Sequence, residues 1–153
     1  MTKRWMGIAV SSAKAVLVTA IEDAGKPLEI VADDTVDLHS GDRAAAYKVM
    51  YDQVSDRVAH NKVDEVFIKS SAWTSGMKLA HLEAAELRGV VIAAAGTNAR
   101  VHIVSSAQIS RTFGARKFDE YVKDKSFWPP KVSGAQLREG SKPAALLLIA
   151  ARA

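Results

Sequence analysis

Between residues 111 and 131 the chain reads RTFGARKFDEYVKDKSFWPPK. Arg111, Arg116, Lys117, Lys123, Lys125 and Lys131 outnumber the acids Asp119, Glu120 and Asp124 there, with Phe113, Phe118, Tyr121, Phe127 and Trp128 interleaved. Cations in this density can follow a phosphate backbone, and rings between them can stack on bases. The same pattern fits an amphipathic segment that turns Phe118 and Tyr121 inward and leaves its charges in water; both readings stand at this point. A second stretch, KSSAWTSGMK (69–78), sets Lys69, Trp73 and Lys78 among small hydroxyl-bearing residues. It predicts a loop at the end of a strand, where open α/β sheets bind ligands. Trp73 is then an exposed platform or partner contact, or else a ring folded onto the following helix or into a dimer interface.

Other chemistry is poorly supported. Ser11 to Lys14 (SSAK) has the Ser-x-x-Lys spacing of serine acyltransferases, but there the serine opens a helix. Here it falls in a predicted hairpin turn and reads as a polar turn. His39, His60, His81 and His102 include no pair at helical metal-ligand spacing, and the chain has no cysteine to join them. The absence of cysteine also excludes disulfides and thiolate metal sites. Neither Gly-x-x-x-x-Gly-Lys nor Gly-x-Gly-x-x-Gly occurs, so no phosphate loop or dinucleotide fingerprint is present. No metal and no small-molecule cofactor is expected.

The elements that position these residues follow from periodicity. A chain of 153 residues, 48% of them hydrophobic, suits one domain over residues 1–153 with a real core. The net charge of +4 and a pI near 9.4 permit nucleic-acid binding without demanding it. No apolar run approaches the roughly 20 residues of a membrane span, and Lys3 and Arg4 lead into a strand-like run rather than a signal peptide. A soluble cytoplasmic protein is the expectation. Residues 5–10 and 14–21 read as a first hairpin, DAGKP as a turn, and LEIVADDTVDL as a third strand. Ser40 is the expected N-cap of an amphipathic helix over 41–59, in which Tyr47, Met50, Tyr51, Val54 and Val58 recur at helical spacing. A buried strand over 63–69, a long helix over 76–95 stopped by Gly96, and a fifth strand (RVHIVS) follow. A short helix over 106–113 closed by Gly114 and an apolar C-terminal helix complete the order. Three meandering strands, then strands alternating with helices, predict an α/β protein with a mixed five-stranded sheet flanked by helices. That is the element order of the ribonuclease H-like fold.

Four stretches also resemble the RuvC family of Holliday-junction resolvases. MGIAVSSAKAVLVTAIED is similar to that family's opening hairpin. VDEVFIKSSAWTSGMKLAHLEAAELRGVVIAAA resembles its fourth strand, loop and long helix, with Ala85, Arg88, Gly89 and Val90 the closest local match. ARVHIVSSAQISRTFGA resembles the next strand and helix, and SKPAALLLIAARA the last helix. The resemblance implies four carboxylates holding divalent ions that activate water and stabilise the leaving oxygen. They follow the Gly-Ile of strand one, end strand four, and open the last helix. The matching residues here are Ala9, Lys69, Ser141 and Ala144, and none is acidic. Lys69 puts a cation where a metal ligand is implied, which repels a divalent ion. A register shift in the last helix could bring in Glu139, but residues 5–18 contain no Asp or Glu to restore strand one. The resemblance thus implies a scaffold kept and a metal site lost: a non-catalytic protein that binds structured or duplex DNA or RNA, as a homodimer. Lys69, Trp73, Lys78, Arg111, Arg116 and Lys117 are the expected contacts. Two alternatives stay open: a divergent metal-dependent nuclease with carboxylates elsewhere, and a protein-interaction scaffold.

Overall fold

The computed structural model describes residues 2–153. Strands β1 (Lys3–Val10), β2 (Lys14–Glu22) and β3 (Leu28–Asp37) form an antiparallel meander. Helix α1 (Arg43–His60) leads to β4 (Glu65–Lys69), which pairs parallel with β1. Helix α2 (Leu79–Ala95) and β5 (Arg100–Val104) follow, β5 pairing parallel with β4. Helices α3 (Ser106–Phe113) and α4 (Phe118–Lys123), strand β6 (Val132–Gly134) and helix α5 (Lys142–Arg152) complete the chain.

The sheet order is β5-β4-β1-β2-β3-β6. The expected sheet had five strands; the sixth is β6, paired parallel with β3 from Leu28↔Val132 to Ile30↔Gly134. Three residues are too few to show a period, and Pro129 and Pro130 just before them read as a break. Strand β1 lies between two neighbours and is covered on both faces, so it carries a continuous apolar run rather than alternation. Met6 and Ile8 face α1 and α2, packing with Val54, Leu87 and Val91. Trp5 faces the other way, packing with Phe67, Ile109 and the apolar side of α5.

Two helix starts differ from expectation. Helix α1 is capped by Asp42, whose carboxylate accepts the Ala45 N–H at 2.9 Å. Ser40 cannot take that place because Gly41 has φ +98°, outside the helical region. Helix α2 begins at Leu79 rather than at residue 76, where His81 Nδ1 accepts the Lys78 N–H at 2.9 Å. Helix α3 starts where expected, on a reciprocal cap. Ser105 Oγ accepts the Gln108 N–H at 3.1 Å, and Gln108 Oε1 accepts the Ser105 N–H at 3.0 Å. Among the described residues no helix is long and apolar enough to cross a membrane.

Candidate functional site

A cleft of about 420 Å³ opens at the carboxyl ends of β1 and β4. Ala9 and Lys69 both line it. The parallel register Gly7↔Phe67 and Ile8↔Ile68 sets these two residues side by side at the next step. The Lys69 ammonium lies 4.1 Å from the centre of the Phe118 ring. Burial holds its pKa below the usual lysine value; Asp119 opposes that shift and Arg88 adds to it. A cation–π contact partly replaces the lost hydration of the ammonium without neutralising it.

Arg88 reaches the same cleft from α2. Its Nη2 donates to the Val10 carbonyl at 3.0 Å and its Nη1 to Ser71 Oγ at 2.5 Å. The guanidinium thereby ties the end of β1 to the loop after β4. Its Nε–H is buried and meets no acceptor among the described residues. Burial lowers the Arg88 pKa as well. Sequence reasoning noted Arg88 only within the resemblance and missed it as a site residue. One arginine in an amphipathic helix carries no signal of what it reaches.

A divalent ion does not fit this donor set. Magnesium and calcium need carboxylate or carbonyl oxygens, and the cleft is lined by Lys69, Arg88, His81 and hydroxyls with no Asp or Glu. Among the described residues no group of three or more His, Asp or Glu side chains could hold a metal.

The other expected positions are dispersed. Ser141 is buried away from the cleft, its Oγ donating to Asp33 Oδ1 at 2.6 Å. Ala144 is buried with its carbonyl against Gly7 of β1. Pro143, between them, is the residue of α5 that lines the cleft. Trp73 is 86% exposed, and Leu79 (70%) and Leu82 (53%) of α2 are exposed as well. Lys78 sits exposed at the start of that helix.

The basic aromatic segment divides between its two readings. Phe118, Tyr121 and Trp128 are buried. Phe113, Tyr121, Phe127 and Trp128 form a chain of ring contacts at 5.2–5.6 Å. These rings pack on α5 and the sheet, because the short α4 has no other face to cover; as base-stacking groups they are corrected to core. The cations stay outside. Arg116 pairs with Asp124 at 3.0 Å and lies over Tyr121, and the Asp124 hydrogen bond raises its pKa. Arg111 and Lys117 are exposed.

The sheet order and the strand-end cleft define a ribonuclease H-like α/β protein with the RuvC fold. Thermus thermophilus RuvC superposes with a TM-score of 0.75 and 13% identity, over 96% of this chain and 92% of that one. The T. thermophilus RuvC in complex with a Holliday junction substrate gives 0.72 at 11%, over 97% and 91%. The yeast mitochondrial Holliday junction resolvase gives 0.67 at 11%, over 97% of this chain and 77% of that one. At these identities the likeness is one of fold. No protein-family model and no curated protein matches the chain.

Proposed function

We propose that this chain is a non-catalytic RuvC-like protein that binds structured or duplex nucleic acid without a divalent ion. The observation that carries the reading is the cleft itself. Ala9 and Lys69 stand together at the strand ends, Arg88 joins them, and no carboxylate lines the space. A site of this sign attracts phosphate and disfavours metal. The exposed cations Arg111 and Lys117, with Lys78 at the start of α2, extend positive charge beyond it. The 86% exposure of Trp73, in the loop whose neighbouring residues line the cleft, supports a role in stacking on an unpaired base. The fold is shared with a resolvase solved on a Holliday junction, which favours branched DNA over single strands as the first substrate to test.

We also propose that the protein works as a homodimer. Leu79 and Leu82, one helical step apart on α2, are large apolar side chains left exposed, which supports an interaction surface on that helix.

Binding is tested with labelled four-way junction, duplex and single-stranded DNA over a salt series. Neutralising Arg111 and Lys117 together should weaken binding at low salt. Each lost phosphate contact should flatten the log–log salt slope by about one unit. An unchanged slope in that variant would remove the segment from the interface. No binding to any of these DNAs or to RNA would favour the scaffold alternative.

A further inference from the structure

We infer that the cleft between β1, β4 and α2 is a built, metal-free site for a single phosphate group, held by Lys69 and Arg88. The inference deepens the nucleic-acid reading above and rests on it for the phosphate's macromolecular source. It does not rest on it for the site.

Three independent features of the cleft point to an anion. The first is charge that no salt bridge within the cleft neutralises; the acid acting on Lys69, Asp119, lies outside the lining. Lys69 and Arg88 line one cleft, and no Asp or Glu lines it with them. Elsewhere the chain pairs its partly buried cations: Arg152 meets Glu22 at 3.5 Å and Lys142 meets Glu139 at 2.9 Å. Two cations drawn partly out of water in one place are costly unless something negative joins them.

The second is the set of neutral donors. Ser70, Ser71, Thr74 and Ser106 put four hydroxyls on the cleft wall. A phosphate has more acceptor lone pairs than two cations can satisfy, and hydroxyls supply the remaining donors.

The third is the backbone. Ser106 is the first residue of α3, His81 the third of α2 and Pro143 the second of α5, and all three line the cleft. Two of these helices, α2 and α3, begin at its rim with no acidic residue in the first turn, whereas α5 continues from a turn that holds Glu139. Helix starts carry partial positive charge and ordinarily attract Asp or Glu. Here that charge adds to that of Lys69 and Arg88. Burial lowers the pKa of both side chains, with Asp119 partly opposing the shift at Lys69, as expected where cations are drawn out of water.

The test uses inorganic phosphate as the probe, titrated by calorimetry against the full chain in EDTA. The wild type should bind one phosphate per protomer, equally well with Mg²⁺ in place of EDTA. Lys69→Met should weaken this about tenfold or more, the loss expected for one charge-assisted hydrogen bond. Ser106→Glu is the second variant. A carboxylate at the first position of a helix favours the helix, so the fold is kept while the cleft gains a negative charge; phosphate binding should be lost. No phosphate binding by the wild type, or equal binding by folded Lys69→Met and Ser106→Glu, overturns the inference.

Displacement of the bound phosphate then separates the sources. Displacement by both a 5′-phosphorylated oligonucleotide and its unphosphorylated twin assigns the site to backbone phosphates. Displacement by the first alone assigns it to a strand end. Displacement by neither leaves the inference intact for a small phosphorylated molecule and removes the cleft from the nucleic-acid interface. Nucleic-acid binding that survives unchanged in both variants, with no phosphate bound by the wild type, overturns the inference and spares the proposed function.

Discussion

Asp33 accepts Ser141 Oγ at 2.6 Å and two N–H groups of Arg138 at 2.7 and 3.2 Å. Burial raises its pKa, but the hydrogen bonds from Arg138 and Ser141 outweigh it and hold the carboxyl below its ordinary value of 3.8. A folded-state pKa below the unfolded one means the unfolded chain takes up the proton first. The contribution to stability is therefore whole above the unfolded value, and it drains as pH falls through the folded one. Asp33→Asn should cost about 1–3 kcal/mol near neutrality, by leaving Ser141 and Arg138 poorly partnered. It should also remove part of the stability lost below about pH 4. Urea melts of both proteins at neutral pH and at pH 3 check the pair of outcomes. At this scale the sequence was legible in part. Ala9 and Lys69 could be set beside each other because the resemblance puts both at one implied metal site, and the parallel pairing of β1 and β4 sets them side by side. Ser141 could not be tied to Asp33, because the contact spans 108 positions and depends on how the loop before α5 crosses the sheet. Arg88 was illegible for the same reason.

The packing of α5 on β1 turns on Gly7. A Cβ built there would lie 2.1 Å from the Ala144 carbonyl oxygen and 2.9 Å from its carbon, both backbone atoms that cannot swing away. Gly7→Ala should destabilise the protein by about 1–3 kcal/mol, the usual range for forced overpacking, and toward the upper end because backbone must shift. Gly89 is the contrast. It lies inside α2 with nothing within 4 Å of an added Cβ, so Gly89→Ala should stabilise by about 0.5–1 kcal/mol through helix propensity. Opposite shifts of the urea midpoint in the two variants would support this account of which glycine is a packing device. The strands and helices that carry these contacts were readable from apolar periodicity, including the span of α3 and its stop at Gly114. Strand β6 was not, since it is short and exists through its partner β3 rather than through its own pattern. The start of α2 was misplaced because Gly76 and Met77 can enter a helix, and only the His81 cap fixes where it begins.

The whole molecule combines a net charge of +4 with a cleft lined by Lys69 and Arg88 and with exposed Leu79 and Leu82 on α2. If Leu79 and Leu82 pair two copies, Leu79→Lys with Leu82→Lys should convert dimer to monomer in sedimentation velocity while leaving the circular dichroism spectrum unchanged. A wild type that sediments as a monomer at high concentration would remove the homodimer. The charge balance alone permitted a nucleic-acid partner and could not place it; the proposed position rests on the sheet, which brings residues 9, 69 and 88 to one end of the fold. Under the proposed function, this RuvC-fold chain binds nucleic acid through positive charge and not through metal. The most direct measurement is fluorescence anisotropy of a labelled four-way DNA junction, titrated with protein over a salt series, in EDTA and again in Mg²⁺, with the strands sized on a denaturing gel afterwards. The account predicts binding that weakens steeply with salt, equal affinity in both buffers, and intact strands. Absence of binding at low salt, or strands cut in Mg²⁺, would contradict it.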